Sequence, residues 1–202
     1  LGGLLGADKV RACHNYANDR PFDTGRTPMQ YTTNTLEKHW MPFTGNRDFK
    51  ADPRAAFLQS TVGVSWLIES AVACGVRLFA YFSTAHVYGP VTGRVSEKAE
   101  ANPLSHYAIA HYAAEQIIKR SSGESHLKAL VLRPNTVFGI PASIDTFDRW
   151  SLIPFSFPME AARAHTITLR SSGEQRKNFI AADDLAAYAA EFLQSDNRFE
   201  GY

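Results

Sequence analysis

The apolar run Leu78-Phe79-Ala80-Tyr81-Phe82 leads straight into two hydroxyl residues, Ser83 and Thr84. No other junction in the chain constrains its fold as much. The run predicts a buried strand from Val76 to Phe82, which delivers Ser83 and Thr84 at its carboxyl end. In open α/β sheets, ligands bind in the crevice outside those ends. Tyr107 to Lys119 predicts a helix, with Ala110, Ala114, Ile117 and Ile118 on its buried side. Leu127 to Leu132 predicts a second strand. Strand, helix, strand at this spacing predicts a right-handed crossover and a parallel sheet.

The flanking segments are read from the same signals. From Ala55, the positions Leu58, Val62, Leu67, Ile68, Ala71 and Val72 roughly follow helical spacing, and Gly75 stands where a glycine ends a helix. Residues 14–53 are polar, dotted with proline and without clear periodicity, and read as a long surface loop. Trp150 to Ala164 reads as partly helical and interrupted by proline, with Trp150, Phe155 and Phe157 as core or lid. Thr166 to Leu169 alternates like a short strand. Phe179-Ile180 leads to Asp183-Asp184, where an aspartate can cap a helix running to Leu193. At the start, Gly3 and Gly6 sit before a helix-like segment, as they would in a glycine turn that lets a pyrophosphate approach the backbone.

Composition narrows the function classes. A chain of 202 residues, 45% hydrophobic and 20% charged, is long enough to bury a core. Its net charge of +1 is spread without a basic stripe, which argues against nucleic acid. No apolar run approaches the roughly 20 residues that span a bilayer, and the start has no basic n-region of a secretory signal. Cys13 and Cys74 are expected to be plain thiols of a reducing compartment, so a cytoplasmic setting is expected. The histidines show no metal-site spacing, so no metal is expected.

The chemistry-bearing residues converge on one idea. Tyr107 and His111 are four apart, so they share a helix face. A strand-end hydroxyl, a phenol and an imidazole are parts of a proton relay. Four blocks then recur in order: Phe82-Ser83-Thr84-Ala85-His86-Val87-Tyr88-Gly89; Pro103-Leu104-Ser105-His106-Tyr107 with His111; Leu132-Arg133-Pro134 with Val137-Phe138-Gly139; and Phe179-Ile180 with Asp183-Asp184-Leu185-Ala186. Over about Asp52 to Leu193 the chain resembles an extended short-chain dehydrogenase/reductase of the NAD-dependent epimerase/dehydratase group.

That resemblance implies a doubly wound, Rossmann-like parallel sheet with a small C-terminal substrate-binding portion. The implied division is a dinucleotide-binding portion over 1–139 and a partial substrate-binding portion over 140–202, with the fold incomplete at both ends. It implies NAD or NADP as cofactor, a nucleotide-linked sugar as substrate, and a homodimer as one expected assembly. Thr84 matches the catalytic Ser/Thr, with Ser83 as a neighbouring substitute and cofactor contact. Tyr107 matches the acid/base for a sugar hydroxyl whose carbon exchanges hydride with the nicotinamide. His111 stands where the group carries a lysine that supports the tyrosine and holds the ribose. Gly3 and Gly6 are implied for the pyrophosphate, and His86, Asn135, Thr136, Arg176 and Lys177 for the substrate. Arg133, at a strand end, is expected to be a structural hydrogen-bonder. Because a histidine replaces the lysine and a complete glycine turn is not found, a second expectation stands beside the enzyme: a non-catalytic binding or scaffold protein that keeps the sheet.

Overall fold

The computed structural model describes residues 50–141, 143–145, 147–169 and 171–194. Gly3, Gly6 and nearly all of the 14–53 stretch lie outside the described residues.

Helix α1 (Pro53–Ala73) begins where Asp52 accepts a hydrogen bond from the Ala55 amide at 3.0 Å, with proline in its first turn. It ends at Cys74, and Gly75 takes the left-handed backbone expected of it, at φ 70°. Cys74 is disulfide-bonded, so the expected plain thiol fails there and lends no support to a reducing compartment. Strand β1 (Leu78–Phe82) follows and runs into a short 3-10 turn over Ala85–Tyr88. Helix α2 (His106–Gly123) returns the chain to strand β2 (Lys128–Leu132). β1 and β2 pair in parallel from Leu78↔Lys128 to Phe82↔Leu132, the pairing expected from the strand–helix–strand order.

Why the sheet packs this way is visible in the side chains. Val64, Ile68 and Ala71 of α1 meet Ala114 and Ile118 of α2 over Tyr81 and Ala129. Phe79 and Val131 join them, as strand alternation requires of residues on that face. Ile68, Ala110, Ala114 and Ile118 have no exposed surface, and α1 and α2 pack against each other. Small alanines at the α2 positions allow that close approach. Burial of this apolar surface is the main force holding the layer together.

A second parallel pair joins β3 (Thr136–Phe138) to β4 (Phe179–Ala181), with Thr136 opposite Phe179. Between them lies α3 (Ile153–Ala164), which tolerates Pro158 and has no fully buried residue. Trp150 and Phe155 stack edge to face on Phe147, with centroids 4.9 and 4.7 Å from it. Helix α4 (Ala182–Gln194) contacts β1 and β4 and buries Leu185, Ala189 and Phe192. Asp183 and Asp184 fall in its first turn rather than at its cap; there they favour the positive end of the helix dipole. Thr166–Leu169 forms no strand: it is exposed and irregular, and four alternating residues make a strand only when a neighbouring edge pairs with them. No helix among the described residues is long and apolar enough to cross a membrane.

Candidate active site

The parallel pairing carries the hydroxyl residues to the sheet's carboxyl edge. Beyond β1 and β2 the two chains stay joined, through Ser83 N to Leu132 O at 2.7 Å and Ala85 N to Pro134 O at 2.9 Å. Ser83 and Thr84 are therefore held by backbone, not by loop chance. Both are buried. Thr84 caps the 3-10 turn, its Oγ1 accepting from the His86 amide at 3.2 Å. Gly89 ends that turn at φ 68°, so tight against the Asn102 carbonyl that any Cβ would collide with it.

Tyr107 arrives from the other side. Ser105 caps α2, its Oγ accepting from the Ala108 amide at 3.1 Å, which fixes Tyr107 in the first turn. Half-buried, it stands near enough to Thr84 for that hydroxyl to favour its ionised form. Burial pushes the Tyr107 phenol above its ordinary range, and the Thr84 hydroxyl and the charge of Arg149 pull the other way. The net direction is upward, so in the free chain this group is a phenol at neutral pH.

Two rings frame it. His111 stands edge to face with Tyr107, centroids 4.5 Å apart at 67°, and His86 does so at 6.0 Å and 75°. His111 is buried, and its Nδ1 lies 3.0 Å from the Tyr81 hydroxyl. His86 is exposed.

Ser83 faces elsewhere. Its hydroxyl donates to Glu115, a carboxylate with no exposed surface. Arg133 closes on the same carboxylate from β2's end, its Nε 3.0 and 3.1 Å from the two oxygens. It also stacks 4.8 Å from the Tyr88 ring centroid. The Glu115 carboxylate holds the Arg133 guanidinium above its already high ordinary range, with burial opposing. Arg133 is the structural hydrogen-bonder it was expected to be. Glu115 and Tyr81 escaped the sequence reading. The missed signal is spacing: Tyr107, His111 and Glu115 recur every fourth residue, and an acid on a buried helix face needs a partner.

The structure brings Thr84, Tyr107, His111 and His86 together and turns Ser83 to Glu115. Asn135, exposed, follows Pro134, whose carbonyl is tied to Ala85, and Thr136 opens β3. Arg176 and Lys177 are exposed just before Phe179, so the β3–β4 register sends them toward the same strand end as Asn135. Gly3 and Gly6 lie outside the described residues. No cluster of metal-ligating side chains occurs among the described residues.

Known proteins share this framework. A UDP-N-acetylglucosamine 4-epimerase from Methanobrevibacter ruminantium M1, solved with UDP-N-acetylmuramic acid, superposes with a TM-score of 0.67 at 19% identity, over 77% of this chain and 50% of that one. MoeE5, solved with UDP-glucose and NAD, superposes with a TM-score of 0.64 at 23% identity over the same shares. The 2'-dehydrokanamycin reductase of Streptomyces kanamyceticus is 31% identical over 129 residues, 61% of this chain and 35% of the reductase. The chain thus spans about half the length of those structures and about a third of that reductase. The model of the NAD dependent epimerase/dehydratase family matches residues 44–201, a span that takes in every helix and strand described above. The chain belongs to the NAD dependent epimerase/dehydratase family.

Proposed function

We propose that this chain is the core of an NAD(P)-dependent enzyme that epimerises, dehydrates or reduces a nucleotide-linked sugar. The convergence of Thr84, Tyr107, His86 and His111 at the carboxyl edge of the strands carries this reading. Two hydroxyls, one half-buried and one buried, meet where an α/β sheet takes its ligand. MoeE5, with the same fold, was solved with UDP-glucose and NAD.

The donor set fits the nicotinamide end of such a cofactor: Tyr107 offers its hydroxyl to a ribose, and Thr84 stands beside it. When bound, the cofactor supplies the hydride acceptor and donor. The chain's own part is proton handling. Tyr107 Oη exchanges a proton with the substrate hydroxyl or carbonyl, and Thr84 Oγ1 orients that oxygen and the phenol together. His86, beside the Tyr107 ring, and the Asn135–Thr136 and Arg176–Lys177 segments bracket the substrate. Arginine and lysine there suit a nucleotide diphosphate. In this reading residues 1–139 bind the cofactor and 140–202 help bind the sugar, and exposed Leu58 and Trp66, on one side of α1, offer a face for a homodimer.

Tyr107→Phe tests the reading. Loss of a positioned acid/base lowers turnover of UDP-hexoses by about 10²–10⁴-fold, with NADH binding retained in a fluorescence titration. Undiminished turnover sinks the assignment.

One observation favours a second reading, a non-catalytic binding or scaffold protein. His111 is buried against Tyr81 instead of offering an exposed charge. Absence of saturable NADH and NADPH binding by the intact protein selects that reading over the enzyme.

A further inference from the structure

Tyr81 sits in the core among Val64, Ile68, Ala114 and Ile118, with 3% of its surface exposed. A phenol in such surroundings needs a hydrogen-bond partner, and Nδ1 of His111 lies 3.0 Å from its oxygen. The two side chains come from different layers, β1 and α2, and their rings are tilted by 41°. Two proton arrangements satisfy this contact. Either Nδ1 accepts from the phenol, or a protonated Nδ1, of a neutral or a charged imidazole, donates to the phenol oxygen.

The surroundings decide between them. A buried O–H needs an acceptor, and among the described residues the Tyr81 O–H finds one in Nδ1 of His111, which a proton on Nδ1 would take away. Tyr81 keeps its proton, because burial foremost, then the charges of Glu115 and Tyr107, push its ionisation upward. The phenol is therefore the donor and Nδ1 the acceptor. A neutral imidazole accepting at Nδ1 carries its own proton on Nε2. The ring held this way is the one that stands edge to face with Tyr107.

We propose that Tyr81 is a positioning residue for Tyr107: its hydroxyl, donating to Nδ1, locks His111 as the neutral Nε2–H tautomer, and the locked imidazole fixes the Tyr107 ring. The proposal rests on the reading of Tyr107 as the acid/base.

Long-range proton–nitrogen correlation on the histidine-15N-labelled full chain at pH 7 tests it, with His111 assigned through His111→Gln. The expected result is a non-protonated Nδ1 and a protonated Nε2 at His111. In Tyr81→Phe, which keeps the ring and loses the hydroxyl, both nitrogens move toward tautomer-averaged positions and the Tyr107 aromatic signals shift. A proton on Nδ1 in the unmutated chain overturns the proposal whether or not the variant folds. Nitrogen signals unmoved in Tyr81→Phe also overturn it, since a residue that only fills space gives that result. Full turnover by Tyr107→Phe overturns the positioning role by removing its object while the tautomer stays as predicted, which separates the two failures.

Discussion

Arg133 grips Glu115 through both carboxylate oxygens, with its Nε 3.0 and 3.1 Å from them, where Glu115 has no exposed surface and Arg133 little. The pair joins the carboxyl end of β2 to the middle of α2, and Ser83 ties β1 to the same carboxylate. Charges this deeply placed are tolerated because each lone pair and N–H finds a partner, and removing one partner strands the other.

Glu115→Ala and Arg133→Ala are therefore each expected to cost about 3–5 kcal/mol of folding stability. A Glu115→Leu, Arg133→Met double variant is expected to lose much less than the sum. Urea unfolding midpoints of the four proteins check this, and additive losses would show that the pair is not coupled.

Thr84→Val keeps the shape of the side chain and deletes the hydroxyl that meets Tyr107. An interaction of this kind with a neutral phenol contributes about 0.5–1.5 kcal/mol, so turnover is expected to fall roughly two- to tenfold. The Tyr107 phenol loses a neighbour that lowers its ionisation point, so that point rises further. Tyrosinate absorbance across an alkaline titration reads the shift.

Tyr81 and Tyr107 are both raised above the ordinary tyrosine value of about 10, burial being the larger cause in each. With the folded value above the unfolded one, their contribution is fully present below about pH 10. It is lost as pH rises above that, because the unfolded chain ionises first. Unfolding free energy measured from pH 8 upward is expected to bend down near pH 10. Tyr81→Phe is expected to flatten that limb, and an unchanged limb would assign it to other groups.

Gly89→Ala meets two obstacles. The backbone stands at φ 68°, and a Cβ would fall within a covalent-like distance of the Asn102 carbonyl. Left-handed strain alone costs about 1–3 kcal/mol at a non-glycine residue, and the collision adds to it. A lowered unfolding midpoint, with weakened order around His86 by hydrogen exchange, is the expected outcome.

Part of this site was open to reading in the amino-acid order. Thr84 ends an apolar run and Tyr107 follows a helix cap, and both marks are local. The strands at β1 and β2 and the helices α1 and α2 were legible for the same reason, since their side-chain periods write themselves along the chain. Thr166–Leu169 shows the limit of that signal. Its alternation is real, but a strand exists only when another edge pairs with it. Tyr81 and His111 are 30 residues apart, and Glu115 and Arg133 are 18 apart. No period connects them.

The sequence by itself determined the α/β alternation, the parallel β1–β2 pair and the delivery of Thr84 and Tyr107 to adjoining element ends. Hydrophobic period and capping residues act over a few positions and mark the elements, and the strand–helix–strand order then favours the parallel pairing. Only the tertiary structure decided that Ser83 turns to Glu115, that His111 faces Tyr81, and that the Tyr107 phenol is raised. Those outcomes depend on which buried polar groups meet across layers, and on how little water remains between them.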